Sequence, residues 1–156
     1  MLNVDIPGFG PVALAYLVSD FTGTVSVGGK LLPGVKEALN RIAEFLEIHF
    51  LTADTFGAAR AELEGVDCRI HILSGEAHDV QKAAYVDRLG VEKVAALGNG
   101  NNDRRMLEAA KVGIAVTEGE GCAVDAVRAA DIVVNRAVDA LDLLLDPRRL
   151  KATLRF

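Results

Sequence analysis

An unbroken apolar run at residues 12–18 is followed by Ser19 and stops at Asp20, and the loop Phe21-Thr22-Gly23-Thr24 begins at once. A run this short, with no polar alternation, reads as a strand buried on both faces that delivers one carboxylate to the rim of a sheet. Beyond the acid come two hydroxyls, a glycine and free backbone N–H groups. Such a place can hold a phosphate and a cation together. Taken alone, the stretch fits equally well a turn in which Asp20 caps its own loop.

The rest of the chain decides what sheet that strand belongs to. Residues 2–6 alternate weakly and Pro7-Gly8-Phe9-Gly10-Pro11 is a turn, so a hairpin is expected ahead of the central strand. Gly28-Gly29 marks a tight turn in a small excursion, and Pro33-Gly34 opens a helix expected over 35–45. Strands are then expected at 47–51, 68–73, 94–97, 113–116 and 132–134. Helices are expected at 56–63, 76–89, 122–129 and 138–145, with a further one begun by the loop 98–103 that turns Met106, Leu107 and Ala110 inward. Strand and helix alternate with short connections, which predicts a three-layer, doubly wound parallel sheet of the Rossmann-like α/β class, a single domain over 1–156. In such sheets ligands sit beyond the carboxyl ends of the strands. The loops that begin at Asp20, Thr52, Ser74 and Gly98 are therefore the ones to inspect.

Composition narrows the function. The chain has 156 residues, 51% hydrophobic and 25% charged, which suits one globular core. A net charge of -5 disfavours a general nucleic-acid surface. No apolar run is long enough to span a membrane, and the start lacks the basic head of a signal peptide, so a cytoplasmic location is expected. Cys68 and Cys122 are the only cysteines and form no Cys-x-x-Cys pair. They read as reduced small residues. His49 and His71 read as packed or edge residues, His78 as surface loop, and Asp54 as a helix cap. Arg104 and Arg105 read as a solvated face, and 117–121 as a surface loop. Arg148, Arg149, Lys151 and Arg155 read as a basic tail that packs on its own sheet or on a neighbour.

Several strand ends carry groups suited to one task. Asp20 offers a carboxylate nucleophile, Thr52 a hydroxyl, and Lys82, near the start of a helix, an ammonium. Asp103 follows a glycine-rich loop whose backbone can approach a ligand closely. Beside Mg²⁺ these make a phosphoryl-transfer site, where catalysis is mostly positioning and charge neutralisation.

The set resembles the haloacid dehalogenase-like hydrolase superfamily in its P-type-ATPase-like branch. Asp20-Phe21-Thr22-Gly23-Thr24 resembles that branch's D-K-T-G-T, with Phe21 in the place of lysine. Leu51-Thr52-Ala53-Asp54 resembles L-T-G-D, Lys82 fits the lysine of the third motif, and 98–103 resembles G-D-G-x-N-D. The resemblance covers residues 16–134. It implies Asp20 as the residue that becomes an aspartyl-phosphate, with the Asp20 carboxylate, the Thr22 carbonyl, Asn99 and Asp103 as the Mg²⁺ set. It also implies Phe21, Thr52, Ala53, Lys82 and Asn102 around the phosphoryl group. The substrate implied is a phosphorylated small molecule or a phosphoprotein. No cap domain is expected, since neither the 20–52 nor the 52–82 interval has room for one. The open site leaves room for a bulky substrate or for a neighbouring subunit, as in a homo-oligomer.

Two departures stand out. Many phosphatases of the superfamily carry a general acid two residues after the nucleophile, where this chain has Thr22. A threonine cannot protonate a leaving alcohol at neutral pH, so turnover should be slower by roughly 10²–10⁴. Asn99 stands where the family has a metal-binding aspartate, and an amide ligates Mg²⁺ without adding charge. The expected function is a Mg²⁺-dependent phosphatase-like hydrolase. The rivals are a catalytically silent family member acting as a binding or regulatory module, and a generic flavodoxin-like nucleotide binder.

Overall fold

The structure is a computed structural model that describes residues 1–54 and 57–156. The strand that ends ahead of Asp20 (β3, Tyr16–Ser19) is preceded by the expected hairpin of β1 (Leu2–Ile6) and β2 (Gly10–Leu14), paired antiparallel. A second small hairpin, β4 (Ser26–Val27) with β5 (Lys30–Leu31), fills the interval before helix α1 (Val35–Ala43). There follow β6 (Glu47–Thr52), α2 (Ala59–Glu62), β7 (Arg69–Ile72), α3 (His78–Leu89), β8 (Val94–Gly98) and α4 (Arg104–Ala109). The chain continues as β9 (Val112–Val116), α5 (Val124–Ala129), β10 (Ile132–Val134), α6 (Ala137–Leu145) and α7 (Pro147–Leu154). The expected start of α2 at Phe56 lies outside the described residues.

Six strands form one parallel sheet in the order β10-β9-β8-β3-β6-β7. The three central strands are buried on both faces, as their unalternating sequences require. Leu17, Ile48, Phe50, Ala95 and Leu97 point to one side, into a core shared with α1, α6 and the β1–β2 hairpin. Val18, Leu51, Val94 and Ala96 point to the other, against Val86 of α3, Met106 and Leu107 of α4 and Ala126 of α5. The connections that step from β3 outward to β7 run over the first face, and those that return through β8 to β10 run over the second. Right-handed winding demands this arrangement. The reversal falls between β3 and β8, so the crevice at their carboxyl ends is the place where a ligand fits.

The basic tail is the main departure from the expected elements. It is a helix, α7, begun by the Asp146 side chain, which accepts the Arg148 N–H, with Pro147 in the first turn. Leu150 is fully buried beneath it, α7 packs against β1, and the Phe156 N–H donates to the Pro7 carbonyl. The tail therefore closes over its own hairpin.

Candidate active site

The last backbone bond of β3 places the nucleophile candidate. The Asp20 N–H donates to the Leu97 carbonyl at 3.0 Å, so the chain is still held to β8 when its carboxylate reaches the rim. The loop then winds around one acceptor, since the Phe21 carbonyl takes the N–H groups of Thr24, Val25 and Ser26 and the Ser26 hydroxyl. Gly23 sits at φ +81°, and a Cβ there would come within 2.5 Å of Asn99 Nδ2, so only glycine allows the two loops this approach. Phe21 was expected among the phosphoryl contacts; its side chain is 1% exposed and packs edge-on against Phe50 in the core, which leaves its backbone alone at the rim. An aromatic ring is worth more to the core beneath the loop than at a polar rim.

Behind Asp20 lies a buried charge cluster. Lys82 Nζ donates to Asp20 Oδ1 at 2.8 Å and to Asp103 Oδ1 at 2.7 Å. Asp103 Oδ2 accepts the backbone N–H groups of Asn99 and Gly100, both at 2.9 Å, so the 98–103 loop is folded around this carboxylate. Gly98 permits it, for a Cβ there would stand 2.5 Å from Asp103 Cβ. Two acids share one ammonium, with Asp103 and Lys82 closed off from water and Asp20 exposed only at its outer edge. Burial first, and then the Asp103 charge, push the Asp20 carboxyl up to about 7, against the pull of Lys82 and the Thr24 hydroxyl. Burial works to discharge Lys82, but the two carboxylates outweigh it and hold the ammonium above its ordinary range. The cluster is one positive charge short of neutral.

In front of Asp20 is an open cavity of about 250 Å³, lined by Asp20, Thr22, Thr52, Ala53, Asn99, Gly100 and Asn102. Five of the expected site residues thus meet there with Asp20. Lys82 and Asp103, 1% and 0% exposed, stand behind Asp20 and do not line the cavity. The Thr52 hydroxyl accepts the Asp54 N–H at 2.9 Å, which leaves its own proton free for a ligand oxygen. Asp54, at φ +51°, turns its carboxylate to accept the N–H of Ala59 at the start of α2, the expected capping role.

The donor set fits a hard divalent cation. Thr24 Oγ1 lies 3.2 Å from Asp20 Oδ2 and 3.1 Å from Asn99 Oδ1, but a hydroxyl has one proton to share between two acceptor oxygens. Asn99 Nδ2 donates to the Gly121 carbonyl, which fixes the amide with its oxygen toward Asp20. A carboxylate and an amide oxygen, with Thr22 on the same wall and a charge deficit behind, match the oxygen chemistry of Mg²⁺. Among the described residues no three acidic, histidine or cysteine side chains converge as a metal cluster, and Asn99 brings an amide oxygen in place of a carboxylate. The Thr24 bridge and the Gly121 carbonyl were absent from the sequence-based site. Thr24 was visible in the motif; Gly121 had no signal, because only the fold brings 117–121 over Asn99.

A family model described as haloacid dehalogenase-like hydrolase matches residues 77–137. A copper-exporting P-type ATPase of Staphylococcus aureus is 32% identical over 155 residues, 94% of this chain and 18% of the pump. A probable copper-transporting ATPase of Arabidopsis thaliana is 33% identical over 140 residues, 83% of this chain and 13% of that one. The chain thus spans less than a fifth of these pumps, and among the described residues no helix is long and apolar enough to cross a membrane. An uncharacterized Methanocaldococcus jannaschii protein is 50% identical over 64 residues, 41% of this chain and 69% of that one. The fold is shared with the cobalt-bound deoxy-D-mannose-octulosonate 8-phosphate phosphatase of Haemophilus influenzae, at TM-score 0.64, 13% identity and coverage of 85% and 87%. It is shared also with the 3-deoxy-D-manno-octulosonate 8-phosphate phosphatase of Moraxella catarrhalis, at TM-score 0.63, 15% identity and coverage of 85% and 86%. With its sheet order, its uncapped strand ends and these likenesses, the chain belongs to the haloacid dehalogenase-like hydrolases, with sequence kinship to the P-type ATPases.

Proposed function

We propose that the protein is a Mg²⁺-dependent phosphohydrolase that works through an aspartyl-phosphate on Asp20. The observation that carries this is the buried Asp20 carboxylate, held on one oxygen by Lys82 and opening into a cavity of hydroxyl, amide and backbone donors. The Moraxella structure, of the same fold, holds a magnesium ion and a phosphate ion, which supports a phosphorylated small molecule as substrate.

The carboxylate of Asp20 attacks phosphorus, and the bond from phosphorus to the leaving oxygen breaks. Water then cleaves the acyl phosphate and restores Asp20. Lys82 pulls Asp20 toward its ionised form and aims it. The free proton of Thr52 and the amide of Asn102 hold the phosphoryl oxygens. Mg²⁺, held by Asp20, Asn99 and Thr22 with Asp103 in support, supplies positive charge against the phosphoryl group when bound. Thr22 provides no acid for the leaving oxygen, so acyl phosphates and other activated esters are the favoured substrates.

Phosphate release from acetyl phosphate, with and without Mg²⁺, tests this. Wild type turns over slowly with the metal, and Asp20→Asn falls to background. Equal release from both forms would place the activity elsewhere. A silent binding module is the second reading, favoured by the uncharged Asn99 at the metal position; it predicts phosphate binding without release.

A further inference from the structure

Forming an aspartyl-phosphate and breaking it down ask different things of the same cavity wall. When the Asp20 carboxylate attacks an acyl phosphate, no proton moves: the oxygen attacks as an anion, and the donor's carboxylate leaves as one. Attack by water does move a proton, because the new oxygen must shed one as its bond to phosphorus forms. We propose that the wall serves only the first kind of step, so that the phosphorylated protein is long-lived and acts as a phosphoryl carrier, exchanging its phosphoryl group with carboxylate acceptors faster than it loses it to water. The inference rests on the aspartyl-phosphate function proposed above.

The side chains around the cavity carry the argument. Apart from Asp20, the polar ones are Thr22, Thr52, Asn99 and Asn102. Hydroxyls and amides hold oxygen atoms but do not take up a proton at neutral pH. Once phosphorylated, Asp20 is itself no longer available as a base. Asp103 is closed off, with Oδ1 on Lys82 and Oδ2 on two backbone N–H groups. The Asp54 carboxylate accepts the Ala59 N–H and lies off the cavity wall. Glu76, His78 and Asp79 line a separate cavity that shares only Asn102 with this one. Thr55 and Phe56, outside the described residues, carry no basic group. Among the described residues, then, no side chain on the wall accepts the proton of an attacking water.

The buried cluster favours the phosphorylated state as well. One ammonium faces two carboxylates, at 2.8 Å and 2.7 Å. Phosphorylation turns the Asp20 carboxylate into a neutral acyl group and moves its negative charge out to the phosphoryl oxygens, in the open cavity. Lys82 and Asp103 are then a matched pair, in the part of the site where an unmatched charge costs most. The same wall selects the acceptor. A group that attacks without losing a proton is a group that leaves without gaining one, so carboxylates pass the phosphoryl group in both directions. An alcohol, like water, brings a proton that the wall does not take.

The test mixes wild type with acetyl phosphate and Mg²⁺, quenches in acid and reads the intact mass. Isotopically labelled acetate follows exchange into acetyl phosphate, and free phosphate is assayed alongside. Most of the wild type should carry one added phosphoryl group and Asp20→Asn none. Label should enter acetyl phosphate at least about tenfold faster than phosphate is released. Glycerol in place of acetate should yield glycerol phosphate no faster than phosphate is released. Thr22→Asp puts a base on the wall, and should lower the phosphorylated fraction and raise phosphate release about tenfold or more. Phosphate release without a phosphorylated wild-type protein, or exchange no faster than release, overturns the carrier and leaves the phosphohydrolase function standing. Absence of both phosphorylation and release overturns the two together. A phosphorylated fraction unchanged in Thr22→Asp overturns the lack of a base as the cause of its long life.

Discussion

In the mechanism proposed above, Asp20 is tuned by burial and by an imbalance of single charges. One ammonium serves two buried carboxylates, and burial first, then the unbalanced Asp103 charge, raise the Asp20 carboxyl to about 7. Asn99 is where the balance was altered, for its amide holds the position at which the family resemblance puts an acid. Replacing it tests that directly. Asn99→Asp should tighten Mg²⁺ by about an order of magnitude and raise turnover, since a charge at contact distance outweighs an amide dipole. Without metal the same change adds a third acid to the cluster and should lower the midpoint of urea unfolding. Calorimetric titration with Mg²⁺ reads the first effect, and unchanged affinity would show that residue 99 lies outside the metal set. Intact mass must be checked beforehand, because Asn99 precedes Gly100 and can deamidate unaided. Most of these residues could be read from the sequence, since each stands at a strand end or in the loop or helix that follows it. Which of them face the ligand could not: Lys82, Asp103 and Phe21 turn inward because burial, pairing and core packing settle a side chain's direction.

The elements illustrate the same division. The central strands were legible because apolar runs buried on both faces leave no other assignment. Helix α7 was hidden because three basic residues mask the narrow stripe of Leu150 and Leu154, although Asp146-Pro147 was a usable start signal. On β6, His49 was rightly read as a packed residue. It is 3% exposed, its Nδ1 is 2.8 Å from the Tyr85 hydroxyl of α3, and it meets the rings of Tyr16 and Tyr85 edge-on. Burial holds its pKa below the ordinary 6.5, although Glu47 works the other way. The folded state therefore keeps His49 neutral while the unfolded chain takes up a proton below pH 6.5. Stability from this contact is present above that pH and is lost as pH falls toward the lower folded value. Asp20, with its raised pKa, acts in the opposite sense, favouring the fold as pH falls from 7. Urea unfolding at pH 7.5 and 5.5 should thus show wild type losing stability relative to His49→Gln, by no more than about 1.4 kcal/mol per pH unit for one proton. Parallel behaviour of the two proteins would mean that His49 titrates normally in the fold.

At the scale of the whole molecule, the doubly wound sheet brings loops more than 80 residues apart to one crevice, with the small β4–β5 hairpin as the one excursion between β3 and α1. Its alternation of strand and helix was plain in the sequence, whereas contacts between loops, such as Asn99 with Gly121 or Arg104 with Asp79, depend on distances that no local pattern encodes. The architecture gives one carboxylate an open face and a cation-ready wall, and the central claim is that this carboxylate accepts a phosphoryl group. Beryllium fluoride with Mg²⁺ mimics the phosphorylated aspartate, and fluorine NMR detects it when bound. Wild type should show bound fluorine resonances that require Mg²⁺ and vanish in Asp20→Asn. Resonances that persist in Asp20→Asn, or that fail to form in wild type at saturating Mg²⁺, would contradict the assignment of Asp20 as the nucleophile.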